Sequence, residues 1–419
     1  MSARPRVVVV TTWLPTPAAP VSGIFVQRDI RALSTIADVR GVHLVPPTAQ
    51  EDSARARIGE IPVLRIPLTP SRPDSVLRAL PPLHSALQGA DLVHSMAVSS
   101  LLPLGLLRVR VPWVHTEHWS VLAEQVDGVR GLAVRGIARV ERLPDVVAAV
   151  SPDLAERLGE LAGRRVEVVP NIVEAPPPGP RRFRRPGEEL RLIGVGGLIE
   201  RKRPLLAVRT AAALAARGTP VHLTWVGEGP LEEQVRREAH RLGVPLGLGG
   251  VLAPDRVPQA LARADVFLVP SRAETFFLGA AEALAAGRPV VVGDSAGPRS
   301  FVAPPTGRLV DSEDPQDWAD AVERVWQDTA GMDADEIARS VQRFSAHALA
   351  RAYSELYATA RSRRAGRALT RMRGRLTPGE RTHDTRTRVD RTPGASTPDT
   401  GTPDTHLRHI PTPDTRMGG

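Results

Sequence analysis

The stretch "PSRAETFFLGAAEALAAGRPVVVG" (270–293) reads as a loop, a helix and a strand in succession. It begins where the apolar run "ADVFLVP" (264–270) ends and finishes in "RPVVVG" (288–293), and both runs are of buried-strand type. Between them an alanine-rich helix is expected from about Leu278 to Ala286, with Gly287 as its stop. Buried strands separated by a helix are the repeating unit of a doubly wound parallel sheet. Two glutamates, Glu274 and Glu282, are the only acids in the stretch, and Glu274 lies beyond a strand's carboxyl end, where open α/β sheets bind ligands. A local account stands beside this one: Ser271 and Glu274 fit the S-x-x-E capping box, and Glu282 fits an exposed helical position. Eight residues of continuous helix would set the two carboxylates about 80° apart, which suits two grips on one extended ligand and not an acid/base dyad.

The alternation occurs twice. "RVVVV" (6–10) and "DVVAAV" (145–150) belong to a first series of buried-type runs, "LRLIGVG" (190–196) and "PVHLTWVG" (220–227) to a second. Helical spacing separates such runs, as in "SPDLAERLGELAG" (151–163), with Ser151 as cap and Pro152 in the first turn, and "PLLAVRTAAALAARG" (204–218), which closes on glycine. The expected organisation is a first α/β domain over 1–175, a linker over 176–189 and a second domain over 190–343. The linker's Arg181, Arg182, Arg184 and Arg185 are read as solvated. "FSAHALARAYSELYATA" (344–360) has helical spacing, so a C-terminal helix is assigned to 344–364. A basic tail over 365–419, with "TPDT" at 397, 402 and 412, is assigned to disorder.

A chain of 419 residues exceeds what one core serves. The absence of cysteine excludes disulfides, thiolate metal sites and cysteine nucleophiles, and agrees with a reducing, cytoplasmic compartment. No apolar run has the length of a signal peptide core or a membrane span. Of the net charge of +9, +7 falls within 361–419, where 13 arginines face 6 acids, so nucleic-acid binding by a folded basic face is not expected. "RSRRAGRALTRMRGR" (361–375) leaves open a peripheral contact with an anionic membrane, although an unattached charged extension is the plainer reading. No Ser-His-Asp set, Walker sequence, zinc-ligand spacing or post-strand D-x-D is present, and "GVGG" (194–197) lacks the third glycine of a dinucleotide fingerprint. Neither a metal nor a cofactor is expected.

Nine segments in order carry a resemblance over most of the chain. They are "LPTPAAPVSGIFVQRDIRAL" (14–33), "ADLVH" (90–94), "VPWVHTEH" (111–118), "AVSPDL" (149–154), "VVPNIVE" (168–174), "GVGGLIERKRP" (194–204), "VGEGP" (226–230), the glutamate stretch itself, and "GPRSFVAPPTGRLV" (297–310). Together they resemble the retaining nucleotide-sugar glycosyltransferases of family four, the group 1 glycosyl transferases of GT-B fold. That resemblance implies two facing Rossmann-like domains, a C-terminal helix crossing back onto the first, a nucleotide-diphosphate sugar as donor, and a carbohydrate or lipid-linked acceptor in polysaccharide or glycolipid assembly.

Residue by residue, the resemblance places Lys202, the chain's single lysine, on the diphosphate, and Glu282 on the ribose hydroxyls. It places Glu274 and His118 on the donor sugar, the amides of Phe276, Phe277, Leu278 and Gly279 around sugar or phosphate, and Gly23 where backbone approaches the diphosphate. His94 and His115 are read as structural, and Trp119, beside His118, as a residue of the acceptor entrance. Two departures stand out. An arginine usual in the family is Gly197 here, leaving Arg201 or Arg203 to replace it, and a glycine usual after "ETF" is Phe277, which would alter the sugar that fits. A catalytically silent sugar-nucleotide-binding or scaffold protein of the same fold, and a sugar-nucleotide epimerase, remain as alternatives.

Overall fold

The computed structural model describes residues 4–47, 55–118, 136, 138–174, 178–182 and 187–376, with side chains to 368. Its first sheet holds eight strands: β1 (Arg6–Thr11), β2 (Asp38–Val45), β3 (Arg55–Ile58), β4 (Ile61–Pro67), β5 (Leu92–Met96), β6 (Trp113–Glu117), β7 (Val146–Ala149) and β8 (Glu167–Val168). Their order is β3-β4-β2-β1-β5-β6-β7-β8, parallel except for the β3–β4 hairpin. The valines of β1 show why the sheet needs cover on both sides: Val7 and Val9 join one core and Val8 and Val10 the other, all at most 3% exposed. Helices α1 (Ile24–Leu33), α2 (Pro73–Ala86), α3 (Leu101–Leu106) and α4 (Pro152–Ala162) belong to this half. The fourth starts on Pro152, as its sequence predicts, and ends on Gly163 in the left-handed conformation, but Ser151 before it makes no side-chain capping bond.

The second sheet holds β9 (Leu190–Val195), β10 (Val221–Val226), β11 (Leu246–Leu248), β12 (Val266–Val269), β13 (Val290–Gly293) and β14 (Gly307–Val310). All are parallel, in the order β11-β10-β9-β12-β13-β14. Around it lie α5 (Pro204–Ala216), α6 (Glu232–Leu242), α7 (Val257–Ala262), α8 (Leu278–Ala285), α9 (Pro315–Asp328) and α10 (Ala334–Ala338). The chain winds outward from β9 to one edge, then returns to β12 on its other side. That reversal leaves a crevice beyond the carboxyl ends of β9 and β12, the position at which doubly wound sheets take ligands. In the first sheet the reversal falls between β1 and β5.

The last helix, α11 (Ala346–Leu376), sets Leu349, Tyr353, Tyr357 and Ala360 into the core of the first half. It also corrects two expectations. Helix continues to Leu376, where disorder was expected from 365, and three of its arginines are attached: Arg363 donates to the carbonyl of Asp145 at 3.0 Å, Arg364 to those of Val109 and Arg110, and Arg367 pairs with the Asp145 carboxylate at 2.9 Å. Nor are the described linker arginines free in solvent. Arg181 donates to the Met332 carbonyl at 2.9 Å, and Arg182 pairs with buried Asp265 at 3.0 Å. Arg184, Arg185, Trp119 and the tail from 377 lie outside the described residues. No described helix is long and apolar enough to cross a membrane.

Candidate functional site

The loops leaving β9 and β12 meet in the crevice. After β9 the backbone takes a wide turn at Gly196 (φ 141°), where a β-carbon would come within 3.1 Å of the Lys202 side chain. A short 3-10 turn, Glu200–Lys202, then brings Lys202 back toward the end of β9. After β12 comes the loop carrying Glu274. Its Oε1 lies 2.6 Å from Lys202 Nζ and 3.0 Å from Arg201, and it also accepts from Ser271 Oγ. Ser271 therefore holds the carboxylate itself and does not cap the helix, which begins only at Leu278. Burial alone would raise the Glu274 carboxyl, but the charges of Lys202 and Arg201 with the hydrogen bonds from Lys202 and Ser271 bring it below the ordinary value. Burial lowers the Lys202 ammonium against the pull of Glu274, and Arg201 lowers it further. The outcome is a desolvated ion pair with a second cation at its side.

Phe277 forms the floor under this pair. Its ring centroid is 4.1 Å from Lys202 Nζ, and its edge meets Phe267 at 5.7 Å between centroids. Its backbone sits at φ 75°, the left-handed region in which a glycine would be unstrained. The bulky residue noted in the sequence thus occupies a conformation made for glycine and is held there by packing, at 4% exposure.

Glu282 follows within α8, five residues after Phe277. It is not an exposed helical residue: its carboxylate is 2.8 Å from Arg28, which comes from α1 in the other half and also pairs with Glu174 at 3.2 Å. Burial raises the Glu282 carboxyl, Arg28 opposes that, and Glu174 adds to it. His118, at the end of β6, is 5% exposed, and burial takes its imidazole down to about 4 despite the neighbouring Glu117 carboxylate, so the ring is neutral near pH 7. Neither ring nitrogen closes a hydrogen bond with a described residue, although the Asn171 side chain lies near enough to favour the charged ring. Its main chain is fixed from both halves, because its N–H donates to Glu117 Oε1 at 2.8 Å and its carbonyl accepts from Thr275 Oγ1 at 3.1 Å.

Two adjoining cavities run along the crevice. One, of about 340 Å³, is lined by His118, Asn171, Arg201, Lys202, Glu274 to Gly279 and Glu282, with Trp13 and Phe25 from the first half. The other, of about 280 Å³, is mostly apolar (Val251, Leu252, Pro254 and Val257 among its walls) and carries Arg28, Gly197, Glu228 and Glu282. Glu282 faces both. A larger depression of about 740 Å³ over β2, β3 and β4 is bordered by Arg40, Arg55, Arg57, Ser85 and Gln88 and contains none of the residues singled out in the sequence.

The sequence-predicted residues are thus gathered in one place with one exception. Gly23 does not line either cavity; its neighbours Val21 and Ile24 do, while Gly23 itself, at φ 69°, packs so closely on the backbone of Trp13 that a β-carbon would lie 2.4 Å from it. Of the two arginines offered as replacements at Gly197, Arg201 enters the site, whereas Arg203 turns away to the Pro270 carbonyl and Glu313. His94 and His115 are buried in the first half. His94 bonds Tyr357 OH at 2.9 Å, and His115 bonds Ser95 Oγ at 2.8 Å and faces Glu117 and Glu141 at 3.3 and 3.4 Å. The last three are the one group among the described residues with spacing suited to a metal ion. The sequence reading missed Arg28, Phe25, Trp13 and Asn171. A signal existed for Arg28, a cation on the buried face of an amphipathic helix.

The profile described as Glycosyltransferase Family 4 matches residues 39–175, and that described as Glycosyl transferases group 1 matches 189–328. The D-inositol 3-phosphate glycosyltransferase of Corynebacterium jeikeium is 32% identical over 302 residues, 64% of this chain and 72% of the relative. The chain belongs to the family 4 glycosyltransferases. The enzyme of the same description from Nocardia farcinica is 32% identical over 269 residues, 58% of each chain. A Mycobacterium tuberculosis GDP-mannose-dependent α-(1-6)-phosphatidylinositol dimannoside mannosyltransferase is 34% identical over 139 residues, 33% of this chain and 35% of the relative. These three matches span from 35% to 72% of the relatives' own length. Among solved structures, sucrose-phosphate synthase from Thermosynechococcus elongatus superposes with TM-score 0.67 at 22% identity, covering 84% of this chain and 98% of that one. Anabaena HepE, solved with UDP and glucose, gives 0.65 at 18%, covering 85% and 100%. The fold of this family member is GT-B.

Proposed function

We propose that the protein transfers a glycosyl group from a nucleoside diphosphate sugar to an acceptor hydroxyl presented by the first half, with retention of configuration. The observation that carries this reading is the Lys202–Glu274–Arg201 cluster lying next to Glu282 along one crevice. Lys202 and Arg201 take the diphosphate, whose charge grows as its bond to the anomeric carbon breaks. Glu282 accepts from the ribose hydroxyls, while Glu274 and neutral His118 face the sugar. The acceptor oxygen bonds to the anomeric carbon on the face the phosphate leaves, and the departing phosphate oxygen takes the acceptor's proton. Neither an enzymic nucleophile, a metal nor a cofactor is called for in this scheme. The relatives named for D-inositol 3-phosphate and phosphatidylinositol dimannoside support a phosphorylated polyol or glycolipid acceptor.

A thermal-shift panel of UDP- and GDP-sugars identifies the donor. With that donor, Glu274→Gln and Lys202→Ala are each expected to lower turnover by at least about a hundredfold, the scale for losing a transition-state electrostatic contact. Wild-type turnover in either variant rejects the assignment. Phe277, whose ring fills space beneath Lys202, favours one other reading, a sugar-nucleotide-binding protein without transfer. Donor binding with neither transfer nor donor hydrolysis would establish it.

A further inference from the structure

Arg28 has no role in the scheme above, yet it is among the most confined charges in the chain. Its side chain is 6% exposed and bridges two carboxylates from different parts of the fold, Glu174 before the linker and Glu282 on α8, while it lines the mostly apolar cavity. Glu174 is half-exposed, but Arg28 and Glu282 are both largely removed from solvent, so the Glu282 charge is tolerated there only while the guanidinium stays beside it. The ion pair to Glu282 crosses from one half of the molecule to the other. Glu282 accepts from Arg28 at 2.8 Å through Oε1 and still has acceptor capacity, since an ionised carboxylate offers about four lone-pair sites.

We propose that Arg28 is a positioning residue for the nucleotide: from the first half it orients Glu282 and keeps it ready to accept the hydroxyls of a bound ribose, so that the ribose grip is complete only when the two halves are joined. This rests on the reading of Glu282 as the ribose-binding carboxylate. The physical reason is that a vicinal diol donates two hydrogen bonds, which an ionised carboxylate accepts with both oxygens and with charge assistance, whereas a protonated one turns one oxygen into a donor and accepts more weakly. Burial already raises the Glu282 carboxyl, and removing Arg28 takes away the charge and the hydrogen bond that oppose that rise. The charged groups that face or adjoin Glu282 are Arg28 from α1, Glu174 from the chain before the linker, Glu228 after β10, and Lys202, Arg201 and Glu274 in the neighbouring cavity. Of these, Arg28 is the cation in direct contact.

The test uses the full chain and either UDP or GDP, whichever stabilises the wild type, with affinity measured by calorimetry from pH 6 to 9. Arg28→Met keeps an unbranched stem about as long as arginine's aliphatic part and removes the charge. It is expected to weaken binding by at least about tenfold at pH 6.5 relative to wild type at the same pH, with the deficit shrinking toward pH 9 as Glu282 ionises unaided. Arg28→Lys should recover part of the loss. In a Glu282→Gln background, Arg28→Met should change affinity by less than about twofold, because the group it acts through is gone. A variant within twofold of wild type across the pH range overturns the proposal, as does an equal loss in both backgrounds. Small-angle scattering of the unliganded protein decides independently of the donor: Arg28→Met should have a larger radius of gyration than wild type, and an unchanged radius counts against the join. A wild type that binds neither nucleotide defeats the donor assignment of Glu282, while the scattering still reports on the contact between the halves.

Discussion

Phe277 shows how opposing terms meet in one residue. Holding a bulky side chain at φ 75° costs about 1–3 kcal/mol, whereas removing a buried phenyl ring costs about 3–5 kcal/mol, so packing wins over strain. Phe277→Gly is accordingly expected to lower stability by about 2 kcal/mol even though it relieves the backbone, a shift readable from the urea midpoint at constant slope. An unchanged midpoint would mean that the contacts with Phe267 and Lys202 contribute little. His115 offers a second test, with the opposite pH sense from His118. Burial lowers its imidazole, but Glu141 and Glu117 outweigh that and raise it to about 9. A folded value above the unfolded one means that its stabilisation is complete below about pH 6.5 and disappears as pH rises through about 9. The wild-type melting temperature should therefore fall more steeply between pH 7 and 9.5 than that of His115→Gln; parallel slopes would remove His115 as the cause.

At the scale of elements, the helices and strands of the second half were legible because local signals and burial agree. Pro204 opens α5, Gly287 at φ 74° follows α8, and Val290 to Val292 are all fully buried. The Lys202, Glu274 and Glu282 segment could be placed at the ends of β9 and β12 for the same reason. What the residues did not disclose depends on contacts distant in sequence. Ser271 followed by Glu274 reads locally as a cap, and only the meeting with Lys202 and Arg201 from the β9 loop turns that acid into half of an ion pair. Arg363, Arg364 and Arg367 read as solvated because their partners, the carbonyls of Val109, Arg110 and Asp145 and the Asp145 carboxylate, lie more than 200 residues away in the chain. One such long-range bond makes a prediction for α11. Tyr357 OH satisfies His94 Nδ1 at 2.9 Å inside the core, so Tyr357→Phe leaves a buried polar nitrogen without that partner. A loss of about 1–3 kcal/mol is expected in chemical denaturation, and a neutral result would indicate that His94 finds another partner.

For the whole molecule, the decisive feature is that the last helix belongs to the first half's core while the chain between was spent building the second. Leu349, Tyr353, Tyr357 and Ala360 are each at most 5% exposed and share one core with Val7 and Val9 of β1 and with Val26 and Ile30 of α1, the helix that also carries Arg28. At the junction, the Val173 N–H donates to the Phe344 carbonyl at 2.9 Å, so the strand of chain leaving the first half and the one returning to it are bonded to each other. Anything that loosens α11 therefore reaches both the first core and the crevice. Burying an aliphatic or aromatic side chain stabilises by about 1.5–3 kcal/mol, so losing this set removes an amount comparable to the net stability of an average domain, about 5–15 kcal/mol. Truncation after Ser345 should consequently yield a first half that does not melt cooperatively and a protein without donor turnover. Truncation after Leu376 removes only the threonine-, proline- and arginine-rich sequence, which has too few periodic hydrophobics to add a core, and should leave the melting temperature within about 2 °C of the full chain and turnover intact. Circular dichroism melts of the two truncations beside the full chain decide the matter: a cooperative first half without α11 would show that the helix is carried by the fold and does not help to hold it.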